Sequence, residues 1–190
     1  NKSSFVSYIA GQRTAREHYT GIRPEIGTIY DLEHLELPPY GNSLSTTKQV
    51  GFQLNHQVRG ILGNNIITLG AEYLFDDVFD QILAYDYLVD QNVSNVSSFF
   101  QSDWSINDKL TLLSGFRFDK HSLLSDVVFS PRNTLLYKIS KETQFRCSYS
   151  TGFRAPQAFD ADLHVAFAGG GISRIILSEN LIEENSQSIS

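Results

Sequence analysis

One cysteine, Cys147, is all that 190 residues contain, so an internal disulfide and a cysteine-based zinc site are both excluded. No apolar run reaches the roughly 18 residues that a membrane-crossing helix needs. Strands that cross a membrane need only about 10 alternating residues each, so that absence leaves a membrane barrel open. Basic residues are scattered and outnumbered, 15 against 21 acidic, and the formal charge of −6 offers no footprint for nucleic acid. No basic segment followed by an apolar one opens the chain, which starts at Asn1, and no signal peptide is expected in it. Helix-favouring stretches rich in Ala, Leu and Lys are missing too.

What the sequence does have is aromatic residues, 13 Phe and 9 Tyr, which suit pleated surfaces and give an all-β composition. From Ile66 to Phe75 the residues Ile67, Leu69, Ala71, Tyr73 and Phe75 share one face, while Thr68, Gly70 and Glu72 take the other. The same period of two runs from Gln49 to Val58, with His56 as a polar exception on the apolar face. It recurs with Val96, Phe100, Trp104 and Ile106, with Leu110, Leu112, Phe116 and Phe118, and with Phe145, Cys147 and Tyr149. Val127 to Ile139 alternates as well, and Pro131 within it predicts a bulge or a strand end. A first strand spans roughly Ser4 to Tyr19.

Connections are expected to alternate in length. Gly60 to Asn65, Ile106 to Lys109 and Ser140 to Glu142 read as hairpin turns, whereas 21–45, 76–95, 121–126 and 155–185 read as long or loop-like. A transmembrane barrel keeps short turns on the periplasmic side and long loops outside. This parity sends the first strand outward, ends another outward strand at Gly152, and starts a new inward strand near Ser186. Trp104 then lies near the periplasmic end of its strand, either in an aromatic girdle or in ordinary packing. With the apolar face toward lipid, Glu72, Asp103, Arg117, Asp119, Arg132, Arg146 and Arg154 face a lumen. There they either bond to a domain held inside or are solvated in a pore.

The run Tyr149-Ser150-Thr151-Gly152-Phe153-Arg154-Ala155-Pro156 resembles a signature of the TonB-dependent outer-membrane receptor family, in which Gly-Phe-Arg-Ala-Pro closes a late barrel strand. Ser178 to Ser186 resembles the segment that opens the next strand there, without its two prolines. Asp103 to Leu112, Gly115-Phe116-Arg117-Phe118-Asp119 and Ser130-Pro131-Arg132 are similar to that family's hairpin and following strand. A structural role is expected for Gly152, Phe153, Arg154, Ala155 and Pro156: Gly152 permits close backbone approach, and Pro156 cannot donate to a ladder.

The resemblance implies an up-and-down antiparallel meander of about seven to eight strands, a partial segment of a large transmembrane β-barrel in the outer membrane of a Gram-negative bacterium. It implies active uptake of a scarce nutrient such as a ferric siderophore, cobalamin, haem or a glycan. Implied partners are outer-membrane lipid, the small nutrient ligand, a plug domain of the same protein, and TonB acting through an N-terminal box. Residues 1–190 carry neither plug nor box and are expected to be barrel alone. Two other readings stay open: a porin-like or structural outer-membrane barrel, and a soluble β-sandwich binding module with the Phe52, Leu69 and Phe116 faces buried against a second sheet.

No enzyme constellation is expected, since Ser148 and Ser150 lack an elbow motif and a positioned His, and no cofactor is implied. Asp76, Asp77 and Asp80, with Asp86 and Asp90, offer oxygen atoms for calcium but lack EF-hand spacing and are expected to be solvated. Asp160, Asp162 and His164 lack companion zinc ligands. Gly169-Gly170-Gly171 lacks the Lys-Ser or Lys-Thr of a phosphate loop. Tyr30, Tyr40, Tyr85 and Tyr87 are expected in long outer loops, where they stack on a ligand or sit at a membrane interface.

Overall fold

A computed structural model describes residues 2–60, 63–156 and 182–190. It holds one antiparallel sheet of eight strands paired in chain order: β1 (Ser3–Tyr19), β2 (Tyr40–Arg59), β3 (Asn64–Ile82), β4 (Tyr87–Ser105), β5 (Leu110–His121), β6 (Val128–Lys138), β7 (Gln144–Arg154) and β8 (Glu184–Ile189). A short helix, α1 (Ile29–Glu36), lies between β1 and β2, and a single 3-10 turn (Leu83–Tyr85) joins β3 to β4. Among the described residues β1 pairs with β2 alone and β8 with β7 alone, so the meander does not close. Among the described residues no helix is long and apolar enough to cross a membrane.

The expected turns are present, each with a local cause. Gly60 and Gly63 bracket the β2–β3 turn at φ +105° and +104°, backbone that a Cβ disfavours. In the β4–β5 turn the Asn107 side-chain oxygen accepts from the backbone of Lys109 and Leu110, both at 2.9 Å. In the β6–β7 turn the Ser140 hydroxyl accepts from Glu142 and Thr143 at 3.2 and 3.1 Å.

Two expectations about connections are corrected. Residues 76–95 are not a loop: β3 and β4 run through them in continuous register, with Asp76 opposite Val93 and Asp80 opposite Val89. Polar and apolar residues mix on both faces there, which erased the alternation on which a strand assignment depends. Likewise β2 begins at Tyr40, so Tyr40 and Tyr87 are strand residues, and only Tyr30 and Tyr85 sit in the connections. Pro131 makes no bulge, because β6 pairs with β5 without interruption to Val128. It does mark a ladder end, since pairing with β7 stops at Arg132 and proline has no N–H to extend it.

Register fixes the two faces. Opposite residues share a face, so Tyr8, Gly51, Glu72, Ser97 and Asp119 form one row on the polar side. The other side carries Phe5, Phe52, Leu69, Phe100, Phe116 and Phe118. Phe116 stacks on Phe100 at 5.3 Å between ring centroids and meets Phe118 at 5.4 Å. Among the described residues no second sheet covers this side. Phe52, Leu69 and Phe116 are 47%, 46% and 39% exposed, which overturns the soluble-sandwich reading. Burial instead concentrates on the polar side, where Asp80, Asp119 and Ser97 are almost wholly covered. The apolar face ends at a charged fringe, Arg13, Lys48, Asp77 and Lys120, about ten residues from the short turns.

Candidate functional site

The polar face is organised around Arg117. Its Nε donates to both carboxylate oxygens of Asp119, at 2.9 and 3.0 Å, and its Nη2 donates to the Ser97 hydroxyl at 2.8 Å. The same Nη2 reaches Glu72 at 3.4 Å. Arg117 and Asp119 lie two apart on β5, so the pleat places them side by side, and register brings Ser97 and Glu72 from β4 and β3. Asp119 also accepts from the Asn95 amide at 2.8 Å, which matches its 1% exposure: a covered carboxylate needs its lone pairs filled. Glu72 accepts from the Gln49 amide at 2.8 Å and from the hydroxyl of Tyr8. Five adjacent strands are thereby tied together on one face by a guanidinium held between two carboxylates.

Tyr8 reaches Glu72 across the intervening strand because Gly51 lies between them. A Cβ there would stand 2.6 Å from the Tyr8 ring. Sequence reasoning named Glu72, Arg117 and Asp119 but missed Tyr8, Gln49, Asn95, Ser97 and Gly51. The available signal was Gly51, a strand-interior glycine that marks close approach of something bulky.

The remaining residues of the expected set share the polar face without joining this network. Asp103, Arg132 and Arg146 occupy polar-side positions on β4, β6 and β7, and among the described residues none makes an ion pair. Gly152, Phe153 and Arg154 close β7 opposite Ser186, Asn185 and Glu184, and Ala155 is buried where the chain leaves the sheet just before Pro156. The Ser186 hydroxyl lies 3.3 Å from the Gly152 carbonyl oxygen. Trp104 lies at the short-turn end of β4 on the apolar face, opposite Asn65 and Leu112.

The acidic run 76–80 does not converge on an ion. Strand alternation puts Asp76 and Asp80 on one face and Asp77 on the other. Among the described residues no group of three or more His, Cys, Asp or Glu is placed to hold a metal. Asp160, Asp162, His164 and Gly169 to Gly171 lie outside the described residues.

The sequence profile of the family described as TonB dependent receptor-like, beta-barrel, matches residues 4–187. The chain belongs to this TonB-dependent receptor β-barrel family. Among solved structures its fold is similar to the siderophore receptor PirA from Acinetobacter baumannii, with a TM-score of 0.62 and 16% identity. That match covers 81% of this chain and 23% of that one, so the chain spans less than a quarter of PirA's length. No curated protein sequence matches. The eight-stranded meander is thus a partial TonB-dependent receptor barrel, open at both edges among the described residues.

Proposed function

We propose that the chain is a wall section of an outer-membrane, TonB-dependent active transporter for a scarce nutrient such as a ferric siderophore, cobalamin, haem or a glycan. The observation that carries this reading is the inside-out sheet: the bare face is aromatic and aliphatic, and the covered face is ion-paired. Water punishes that arrangement and a bilayer rewards it, because lipid covers the apolar face and leaves the polar one to a lumen. Family membership supports this reading, since TonB-dependent receptors are a transporter and receptor family of the Gram-negative outer membrane and not an enzyme family.

In this reading a plug domain of the same protein sits against the polar face. Asp103, Arg132 and Arg146 offer it uncompensated charges, while Glu72, Arg117 and Asp119 form a prepaired platform. TonB delivers energy from the inner membrane, through a segment outside residues 1–190. The Gly152 to Pro156 run is structural, ending β7 and releasing the chain into the longest connection. The test is uptake of radiolabelled nutrient by cells expressing the intact receptor, before and after collapse of the proton-motive force. Uptake that stops is expected. Uptake that persists overturns active transport in favour of a passive pore.

A further inference from the structure

At the long-connection end the strands rise past the apolar band and carry a cavity of about 630 Å³ between α1 and the β3–β4 tip. That size falls in the range of small-molecule sites, roughly 300–1,000 Å³. One wall is a helical stripe, Tyr30, Glu33 and His34, spaced i, i+3 and i+4 on α1, continued by Leu37 at its C-cap. Glu36 borders the same space, and Tyr85 of the 3-10 turn stands opposite.

Both walls are anchored. The Tyr85 hydroxyl donates to the Thr20 carbonyl at 2.8 Å, and the Tyr19 hydroxyl pairs with His34 Nε2 at 2.7 Å. Asp31, the buried acid in the first turn of α1, takes Arg23 Nε at 2.7 Å and the Gly27 N–H at 3.0 Å. The cavity is therefore preformed, which lowers the entropy cost of filling it.

Its charge is one-sided. Arg23, between the lining residues Ile22 and Pro24, is held by Asp31, whereas Glu33 and Glu36 make no ion pair among the described residues. The wider field agrees, since residues 16–44, 76–94 and 120–127 hold eleven carboxylates against three basic side chains. Such a field concentrates cations at the mouth and repels anions. Two tyrosine rings beside two carboxylates form a setting for a cationic group on an apolar body, joining cation–π attraction to ion pairing.

We infer that this cavity is the entry-side binding site of the receptor and that it selects a nutrient ligand carrying a positively charged amine over neutral or anionic counterparts. This rests on the outer-membrane receptor reading, which puts the long-connection end outside the cell. The probes are a ferric trihydroxamate with a free terminal amine and its N-acetylated, neutral form, titrated into the purified intact receptor in detergent. The amine form is expected to bind roughly tenfold more tightly. The Glu33→Gln/Glu36→Gln double variant is expected to abolish that preference while leaving affinity for the acetylated form within about twofold, because neither side chain supports the fold. Raising the salt concentration is expected to narrow the preference in the unaltered receptor.

Equal binding of the two forms, no binding of either, or a preference that survives the double variant overturns the assignment. Uptake dependent on the proton-motive force reports separately on transport. A receptor that takes up an anionic or neutral complex regardless of Glu33 and Glu36 keeps its transport function and loses this site. Absence of energised uptake removes the transport reading itself.

Discussion

The hydroxyl of Tyr8 on β1 donates to the carboxylate of Glu72 on β3, crossing β2 over a residue without a side chain, Gly51. A hydrogen bond between strands that do not touch exists only because the intermediate position is empty. It links the outermost strand to the charged network, so the network's reach depends on a hydrogen atom at residue 51.

Tyr8→Phe is expected to cost about 1 kcal/mol, one hydrogen bond. Gly51→Ala should cost a similar amount, because the added methyl would stand 2.6 Å from the Tyr8 ring and force it off Glu72. The double variant should lose no more than either single one, since both remove the same contact. Urea-driven unfolding of the intact receptor from lipid vesicles measures all three. Additive losses would show that Gly51 serves something other than Tyr8.

Arg117→Ala leaves Asp119, 1% exposed, without its cation, and is expected to destabilise the receptor by about 3 kcal/mol. Arg117→Lys keeps the charge but not the fork that reaches Asp119 and Ser97 together, and should cost about 1–2 kcal/mol. Pairing Arg117→Ala with Asp119→Asn should recover much of the loss. The same unfolding experiment ranks these variants, and a double variant no better than Arg117→Ala would mean that the charge of Asp119 is not what suffers.

Phe116 and Ser148 lie on opposite faces of the sheet. Phe116→Arg, on the apolar face, is expected to lower stability in the bilayer by about 2–4 kcal/mol if the site lies near the midplane. Ser148→Arg, on the polar face, should be nearly neutral. Yield of heat-modifiable, folded receptor from membranes reads both, and the opposite ranking would reverse the assignment of lipid and lumen faces.

Asp31 gives a prediction about pH. The Arg23 guanidinium, joined by the Gly27 N–H, holds its carboxyl below the ordinary value of 3.8, in opposition to burial. A carboxyl whose pKa falls on folding adds stability above its unfolded value and loses it as pH drops through the folded one. Hydrogen exchange over residues 29–36, corrected for intrinsic rates, should show constant protection down to the ordinary carboxylate range and a loss below it. Asp31→Asn should remove that pH dependence, and protection unchanged at low pH would discount the Arg23 bridge.

The strands crossing the apolar band were legible because one side of each meets a single environment, so Ile67 to Phe75 and Leu110 to Phe118 alternate without ambiguity. Beyond Phe75 each side mixes polar and apolar residues, and Asp76, Val78 and Asp80 share a face with no pattern to announce it. Helix α1 was missed although its signal was present: Thr28 caps it by accepting from the Asp31 N–H, three residues on. The charged site was half legible. The face of Glu72, Arg117 and Asp119 follows from parity alone, but their meeting depends on the register between three strands, and Tyr8 depends on a ring crossing a fourth.

Strands β2, β3 and β4 hold 20, 19 and 19 residues, a contour of roughly 60 Å. At a tilt near 45° that is about 40 Å of height, against an apolar band of about 25 Å. The excess forms a parapet of paired backbone, and a parapet has a fixed aperture: its ladder hydrogen bonds do not let it fold inward over the opening as a loop does. In the transporter reading, the paired tips of β2, β3 and β4 are therefore a fixed part of the rim, and any movement that closes it falls to the connections between strands.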